Sequence, residues 1–258
     1  MFQQDPISLI SVLILAVLPS LVWLFFYLKE DPHPEPRYWL FIIFLIGVAL
    51  APLVISLEMV LSRILNFFAT IPLESGLLIF IIAPLVEEVA KYGVVHLALN
   101  KNPVLDEPVD GMIYVIVAAL GFAAIENVFA IFSFVPIGAP GYFNVAFNFI
   151  SMRFISAVAL HGLASGISGY YFAKFYFPPK ADPPLADIKR NPFFIIWGLF
   201  LATFLHGVYN FLIVKNNEYI PLILTGVILG AAAVLVIFLF NRLKHYKTYQ
   251  QAIVDEAR

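Results

Sequence analysis

Seven long apolar runs divide this chain of 258 residues, and they constrain its fold more than any other feature. Each run has about the 20 residues that a helix needs to cross the hydrocarbon core of a bilayer. Because lipid offers no partners for backbone hydrogen bonds, runs of this kind must be helical. The sequence therefore predicts an all-α, polytopic transmembrane helix bundle of about seven spans. The predicted spans are 7–28, 38–56, 77–99, 111–133, 146–177, 193–214 and 220–241.

The composition excludes a water-soluble fold. Hydrophobic residues make up 62% of the chain and charged residues 12%, whereas a soluble domain is roughly half apolar and about a quarter charged. The net charge of -2 argues against a nucleic-acid partner, and the absence of cysteine excludes thiolate metal sites. We predict one integral membrane domain over 1–258, with a functional core at 77–214 and a C-terminal span and cytoplasmic tail at 220–258.

Lysine and arginine are distributed unequally between the two ends of the predicted spans. One end has eleven of them and the other end has only Arg63 and Lys215. Because the end with more lysine and arginine faces the cytoplasm, we expect the N-terminus outside and the C-terminus in the cytoplasm. The eleven are Lys29, Arg37, Lys101, Lys174, Lys180, Lys189, Arg190, Arg242, Lys244, Lys247 and Arg258.

Residues 57–68 follow the second apolar run and have apolar side chains at helical spacing. Polar residues, among them Glu58 and Arg63, lie between the apolar ones. This pattern predicts either an amphipathic helix at the membrane interface or the hydrated end of a long second span. A gate for substrate is a further alternative.

Four consecutive spans contain polar side chains that are costly inside a membrane. A charged residue at mid-bilayer costs at least about 2.5–3.5 kcal/mol on insertion. Spacings of four residues place Lys91 on the helix face of Glu87, and Asn210 on that of His206. Such a set predicts one polar site shared by the four helices. Its members are Glu87, Glu88, Lys91, Glu126, Asn127, Arg153, His161, His206 and Asn210.

Four stretches within 87–210 resemble the motifs of a known family. They are Glu87-Glu88-Val-Ala-Lys91, Phe122-Ala-Ala-Ile-Glu126, Arg153 with His161 and Ser165, and His206-Gly-Val-Tyr-Asn210. In this order they resemble the EExxK, FxxxE, Arg–His and HxxxN motifs of PrsW-like intramembrane proteases, which are related to the CAAX-processing membrane endopeptidases. The CAAX branch has EExxxR and FxxxH instead, so Lys91 and Glu126 favour the PrsW branch.

The resemblance implies an endopeptidase that hydrolyses a peptide bond in a membrane-anchored protein. An anti-sigma factor, cut outside the cytoplasm in a site-1-type cleavage, is an example of such a substrate. The implied location is a bacterial or archaeal cell membrane, and the other partner is the lipid bilayer.

Peptide hydrolysis needs a base, an oxyanion donor and an acid for the leaving amine. On the resemblance, we expect Glu87 to be the general base. Glu88, held by Lys91 or Arg153, would orient the site.

The remaining residues have expected roles too. Glu126 and His161 would position the water, and His206 and Asn210 would donate hydrogen bonds to the oxyanion. Lys91, Arg153 and Asn127 are supporting residues, each of which also fits a purely structural ion pair or helix–helix hydrogen bond.

A metal ion is the open question, because carboxylates and imidazoles are good zinc ligands. If zinc binds, the expected ligands are Glu87, Glu126, His161 and His206. The sequence has no HExxH signature, so we favour glutamic-type hydrolysis without a cofactor. Two other classes fit the same residues: a proton- or metal-coupled transporter, in which they form a relay, and a non-catalytic membrane scaffold.

Overall fold

The computed structural model describes residues 6–70, 76–136, 141–177, 190–214 and 219–245. Within these residues the chain is helical, and each of the seven predicted runs lies in a continuous helix, which confirms the all-α fold. The elements are α1 (Pro6–Leu28), α2 (Arg37–Ala69), a first π-segment (Leu78–Ile82) leading into α3 (Ala83–Leu99), α4 (Pro108–Phe134), α5 (Tyr142–Arg153), a second π-segment (Phe154–Val158) leading into α6 (Ala159–Tyr176), α7 (Phe193–Val214) and α8 (Tyr219–Lys244).

Six of these helices are long and apolar enough to cross a membrane. The helix that contains α3 is not among them, because Glu87, Glu88 and Lys91 lie within its 17 residues. Residues 57–68 belong to the 33-residue α2, so they continue the second span and do not form a separate interfacial helix. At 1.5 Å per residue, α2 is about 50 Å long and extends beyond a hydrocarbon core of about 30 Å.

Helix α4 is the centre of the bundle. In its membrane-spanning part, 72% of the residues are buried, against 22–33% in the other five spanning helices. Two glycines explain the close fit to α2: a Cβ atom at Gly47 would lie 2.1 Å from the Ala118 carbonyl oxygen, and one at Gly121 would lie 2.1 Å from that of Phe44. Small residues of this kind let helix backbones approach in lipid, where packing drives association.

One end of the bundle, which we call the basic end, gathers several connecting segments. His33 and Glu107 pair at 2.8 Å, so the α1–α2 and α3–α4 connections meet there. Lys244, at the end of α8, pairs with Glu30 at 2.7 Å. Since α2 leaves this end and the α3–α4 connection returns to it, the helix containing α3 traverses the bundle. Lys180, Lys189, Lys215, Lys247 and Arg258 lie outside the described residues, and which side of the membrane the basic end faces stays a prediction.

Candidate active site

The ammonium group of Lys91 is the centre of the polar cluster. Its nitrogen lies 2.9 Å from Glu87 Oε2, 2.9 Å from Glu88 Oε1 and 2.9 Å from His161 Nδ1. An ammonium has three N–H donors, so these three contacts use all of them. The side chain is fully buried, and the Phe122 ring lies 4.5 Å from the nitrogen. Lys91 therefore joins α3 to α6 through a saturated cation.

The two adjacent glutamates differ in access. Glu88 is completely buried, and both of its oxygens are bonded: Oε1 to Lys91 and to His206 Nδ1 at 3.1 Å, and Oε2 to the Ser165 hydroxyl at 3.2 Å. The side chain of Glu87 is 14% exposed and contributes Oε2 to Lys91. Glu88 is thus fixed between three helices, whereas Glu87 keeps a side that another molecule can reach.

A second ion pair extends the cluster to α4. Arg153 donates to Glu126 Oε1 at 2.9 Å and to Asn127 Oδ1 at 2.6 Å. The other oxygen of Glu126 lies 2.5 Å from His161 Nε2. Because Nδ1 of His161 accepts a hydrogen bond from Lys91, Nε2 must hold the ring proton and donate a hydrogen bond to Glu126. His161 is thereby the link between the Lys91 group and the Arg153 group.

The HxxxN stretch of α7 docks against the first π-segment. Pro84 has no N–H, so the carbonyl of Phe80 loses its α-helical donor. Gly207 packs on that carbonyl, because a Cβ atom there would lie 2.1 Å from the Phe80 oxygen. Asn210 donates to the carbonyl of Ile79 at 3.0 Å. Asn210 therefore bonds the backbone of the π-segment here, whereas we expected it to face the reacting carbonyl.

The second π-segment is supported in a similar way. Trp23 of α1 donates to the carbonyl of Phe154, the first residue of this segment, at 2.8 Å. Asn127 of α4 donates to the carbonyl of Ala16 at 3.0 Å, which fixes α1 against α4. Backbone groups released from the α-helical pattern must find partners inside a membrane protein. Both π-segments directly precede helix turns that contain site residues, which is a common location for such segments.

The structure thus joins eight of the nine predicted site residues in one hydrogen-bonded cluster, from α3, α4, α7 and the continuous helix that contains α5 and α6. Asn210, the ninth, lies one turn along α7 from His206. Lys91, Arg153 and Asn127 bond other members of the set, as expected for supporting residues. Glu58 is an ionisable neighbour that the sequence reasoning did not assign to the site. It lies on α2 and interacts electrostatically with Glu87, Lys91 and Glu126. Glu58 belongs to the amphipathic stretch 57–68, where a glutamate is expected to face water at the end of a helix. For that reason the sequence did not indicate a role for it in the site.

The donor atoms could in principle hold a metal ion. One atom each from Glu87, Glu88, His161 and His206 lies within 4.8 Å of the others. Glu88 takes the place of Glu126 in the set expected from the sequence. However, three of these residues already bond the Lys91 ammonium, and the only lone pair of His161 Nδ1 is used in that contact. A metal does not fit this arrangement unless Lys91 moves away.

A second acidic group lies at the basic end. Asp110 accepts the backbone N–H groups of Asp106 at 3.0 Å and of Glu107 at 2.6 Å, which caps α4. The Tyr114 hydroxyl donates to Glu35 at 2.5 Å. Burial raises the pKa of the Glu35 carboxyl above its usual value. We call Asp31, Glu35, Asp106, Glu107 and Asp110 the capping acids.

Comparison with known proteins gives one family and several relatives. The model of the family described as "PrsW family intramembrane metalloprotease" matches residues 35–242. A protein named Protease PrsW from Geobacillus kaustophilus is 31% identical over 196 residues, which is 76% of each chain. One from Clostridioides difficile is 30% identical over 216 residues, 83% of this chain and 84% of the relative. One from Bacillus subtilis is 26% identical over 200 residues, 76% of this chain and 79% of the relative.

No solved structure matches the chain. The family match covers most of the chain and includes every residue of the cluster. The protein is therefore an integral membrane hydrolase that acts on a protein in the membrane, and the chain belongs to the PrsW family of intramembrane proteases.

Proposed function

We propose that this protein is a glutamic-type intramembrane endopeptidase in which Glu87 activates the water. The observation that carries the proposal is the saturated Lys91 ammonium, which holds Glu87 and Glu88 on one cation. A catalytic metal commonly supplies positive charge to such a site. Here a side chain of the chain itself supplies that charge.

The assignment of the base rests on access. Glu88 has both oxygens bonded and no exposed surface, so it cannot approach a substrate. Glu87 is partly exposed and is held in place through one oxygen. It would take a proton from water as the water oxygen bonds to the peptide carbonyl carbon. The proton would then pass to the leaving amine as the C–N bond breaks, so that the base is regenerated.

His206 and Asn210 would support this chemistry from α7. The Nδ1 atom of His206 points to Glu88, which leaves Nε2 on the opposite side of the ring for the reacting peptide. Because Nδ1 donates to Glu88, only the imidazolium form has a proton on Nε2, and we assign this form of His206 the hydrogen bond to the carbonyl oxygen. Asn210 acts as a positioning residue, because its bond to Ile79 fixes α7 against the first π-segment. Glu126 and His161 form a bonded pair that would orient the water from the far side of Lys91.

The depth of the site fits a substrate cut within the membrane. Glu87 lies 12 residues from the end of α3 at the basic end, or about 18 Å, and Glu126 lies 18 residues from the start of α4, or about 27 Å. If the basic end faces the cytoplasm, as the lysine and arginine bias predicts, the cluster lies between mid-membrane and the outer leaflet. A single-span protein with an outer domain, such as an anti-sigma factor, is the substrate class that we propose.

The decisive experiment compares cells that express the protein with cells that express Glu87→Gln. We expect the variant to release no ectodomain from its membrane substrate, because loss of a general base costs about 10²–10⁴-fold in rate. Glu30→Gln is the matched control, since Glu30 pairs with Lys244 at the basic end, away from the cluster. Proteomics of released ectodomains measures the effect. Release from the Glu87→Gln cells at the normal rate would end the assignment.

The cofactor question has its own test. Purified protein in lipid nanodiscs is expected to cleave the same substrate in the presence of a chelator, and elemental analysis is expected to find no stoichiometric zinc. Loss of cleavage with chelator, restored by zinc, would instead require Lys91 to leave the centre of the cluster.

A further inference from the structure

Glu58 of α2 has a buried carboxylate oxygen that no residue of the described helices bonds. Its Oε1 atom has no hydrogen-bond partner among the described residues. The carboxylate interacts electrostatically with Glu87, Lys91 and Glu126. A buried polar atom without a partner costs about 1–3 kcal/mol. Such an atom is expected to bond a molecule that is not part of the chain.

A cavity next to Glu58 can hold that molecule. It has a volume of 210 Å³ and lies between α2 and the first π-segment. One water occupies about 30 Å³, so the cavity has room for several. Glu58 and Ser62 supply the polar side chains of an otherwise apolar wall, and polar groups are what hold water in a cavity. The lining residues are Ile55, Glu58, Met59, Ser62, Leu78, Ile79, Ile82 and Ala83.

The proposed base lies one helical turn from the wall of this cavity. Ala83 lines it, and Glu87 lies four residues further along α3, one turn away on the same helix face. Closer to the basic end, the space between α2 and α3 is filled by packed apolar side chains, among them Ala51, Val54 and Phe122. Glu58 follows Val54 by one turn of α2, so it lies where the apolar packing gives way to the cavity.

We infer that Glu58 is a fourth carboxylate of the active site, a positioning residue that holds water in this cavity and supplies it to Glu87. The inference rests on the proposed hydrolytic function. Hydrolysis of each peptide bond consumes one water, and the lipid around the helices does not supply it. A carboxylate on the cavity wall keeps a chain of hydrogen-bonded water within reach of the base.

Thiol accessibility tests the water directly, without a substrate. The chain has no cysteine, so one introduced thiol is unique. Ala83→Cys places it on the cavity wall, and Leu85→Cys, where the side chain is 43% exposed in the apolar groove between α3 and α7, is the control at nearly the same depth. Because only thiolate reacts, we expect Ala83→Cys to react with charged methanethiosulfonates at least about tenfold faster than Leu85→Cys. Equal slow reaction of both would show a dry cavity and overturn the inference.

Substitutions of Glu58 then test its part in the wet cavity. Glu58→Leu, added to Ala83→Cys, is expected to slow the labelling. Glu58→Gln has the same shape and should keep the rate with a neutral reagent, but it should reduce the preference for the cationic reagent over the anionic one. If Glu58→Gln leaves that preference unchanged, the carboxylate does not face the cavity water and the inference fails. This variant decides the matter even if Glu58→Leu does not fold.

Cleavage kinetics separate the inference from the proposed function. On a substrate identified by ectodomain release, Glu58→Leu should lower kcat about tenfold, the effect of one hydrogen bond to a charged group, with KM unchanged. Glu58→Gln should restore most of that kcat, because an amide still bonds water. Full activity of Glu58→Leu beside inactive Glu87→Gln would refute the role of Glu58 alone. Full activity of Glu87→Gln would refute the proposed function.

Discussion

The membrane cluster and the capping acids are both dense groups of ionisable residues with buried members, but they are held in different ways. In the cluster, Lys91 and Arg153 provide the positive charge: Lys91 pairs with two glutamates of its own helix and bonds His161 of α6, and Arg153 pairs with Glu126 of α4. The capping acids have no lysine or arginine partner among the described residues. Their oxygens bond backbone N–H groups and the Tyr114 hydroxyl.

The difference shows why a group of carboxylates alone does not indicate a reaction site. Oxygens of Glu35, Asp106 and Asp110 converge within 4.8 Å, as closely as those around Lys91. Yet this group caps the N-terminus of α4 and bonds the preceding connecting segment to it, which is a structural role. The cluster combines fixed acids, an accessible acid and an oriented imidazole, and this combination can transfer protons.

The largest effect is expected from Lys91→Met, which leaves Glu87 and Glu88 without their cation. Removing one partner of a buried ion pair costs about 3–5 kcal/mol. We expect a large loss of thermal stability in nanodiscs, together with loss of cleavage. Lys244→Met is the matched control, because its pair with Glu30 is partly exposed and such pairs contribute about 0–1 kcal/mol. Equal stability losses for the two variants would erase the distinction between the cluster and a surface pair.

The sequence predicted much of this, for physical reasons that the two regions illustrate. Lipid makes apolar runs and buried charges conspicuous, so the helices and the shared set from Glu87 to Asn210 could be found from spacing alone. The partner of each charged residue could not be predicted, because Lys91 and Arg153 each had more than one carboxylate as a possible partner. The role of Glu58 and the docking role of Asn210 also depend on the first π-segment, and helical periodicity does not reveal a π-turn.

Two isosteric changes compare the acids directly. Glu88 and Asp110 are both almost fully buried. Glu88→Gln should lower cleavage about 100-fold, because it disturbs His206 and Lys91 at the reacting centre. Asp110→Asn should cost about 0.5–2 kcal/mol as a weakened helix cap but leave turnover per folded molecule unchanged. Cleavage normalised to folded protein measures both, and a turnover defect in Asp110→Asn would move the capping acids into the reaction.

A smaller effect is expected from Tyr114→Phe, which removes the hydroxyl bonded to Glu35. The loss of one hydrogen bond is worth about 0.5–1.5 kcal/mol, and 1 kcal/mol corresponds to roughly 2–4 °C in Tm for a chain of about this length. Tyr170→Phe is the control, since the buried Tyr170 hydroxyl has no partner among the described residues. Similar melting of the two variants would mean that Tyr114 does not hold Glu35 in solution.

The smallest effect is the pH dependence of the basic end. Burial raises the pKa of Asp31 and of Glu35, and the hydrogen bond to Glu107 raises the pKa of His33. In each case the folded state binds its proton more tightly than the unfolded state. The stabilisation is therefore complete below the unfolded pKa, about 4 for the carboxyls and about 6.5 for the imidazole, and it is lost as pH rises through the higher folded pKa.

All three groups act in the same direction, so they should make the basic end less stable as pH increases. The triple variant Asp31→Asn, His33→Gln, Glu35→Gln removes these titrations and leaves the membrane cluster intact. The difference in Tm between wild type and the variant, measured from about pH 4 to pH 8, cancels the contribution of the cluster. We expect the Tm of the wild type minus the Tm of the triple variant to decrease as pH rises. The decrease should be smaller than the change in Tm caused by Tyr114→Phe. A shift in the opposite direction would mean that these carboxyls are held as anions, as in the cluster, and the contrast between the two regions would fail.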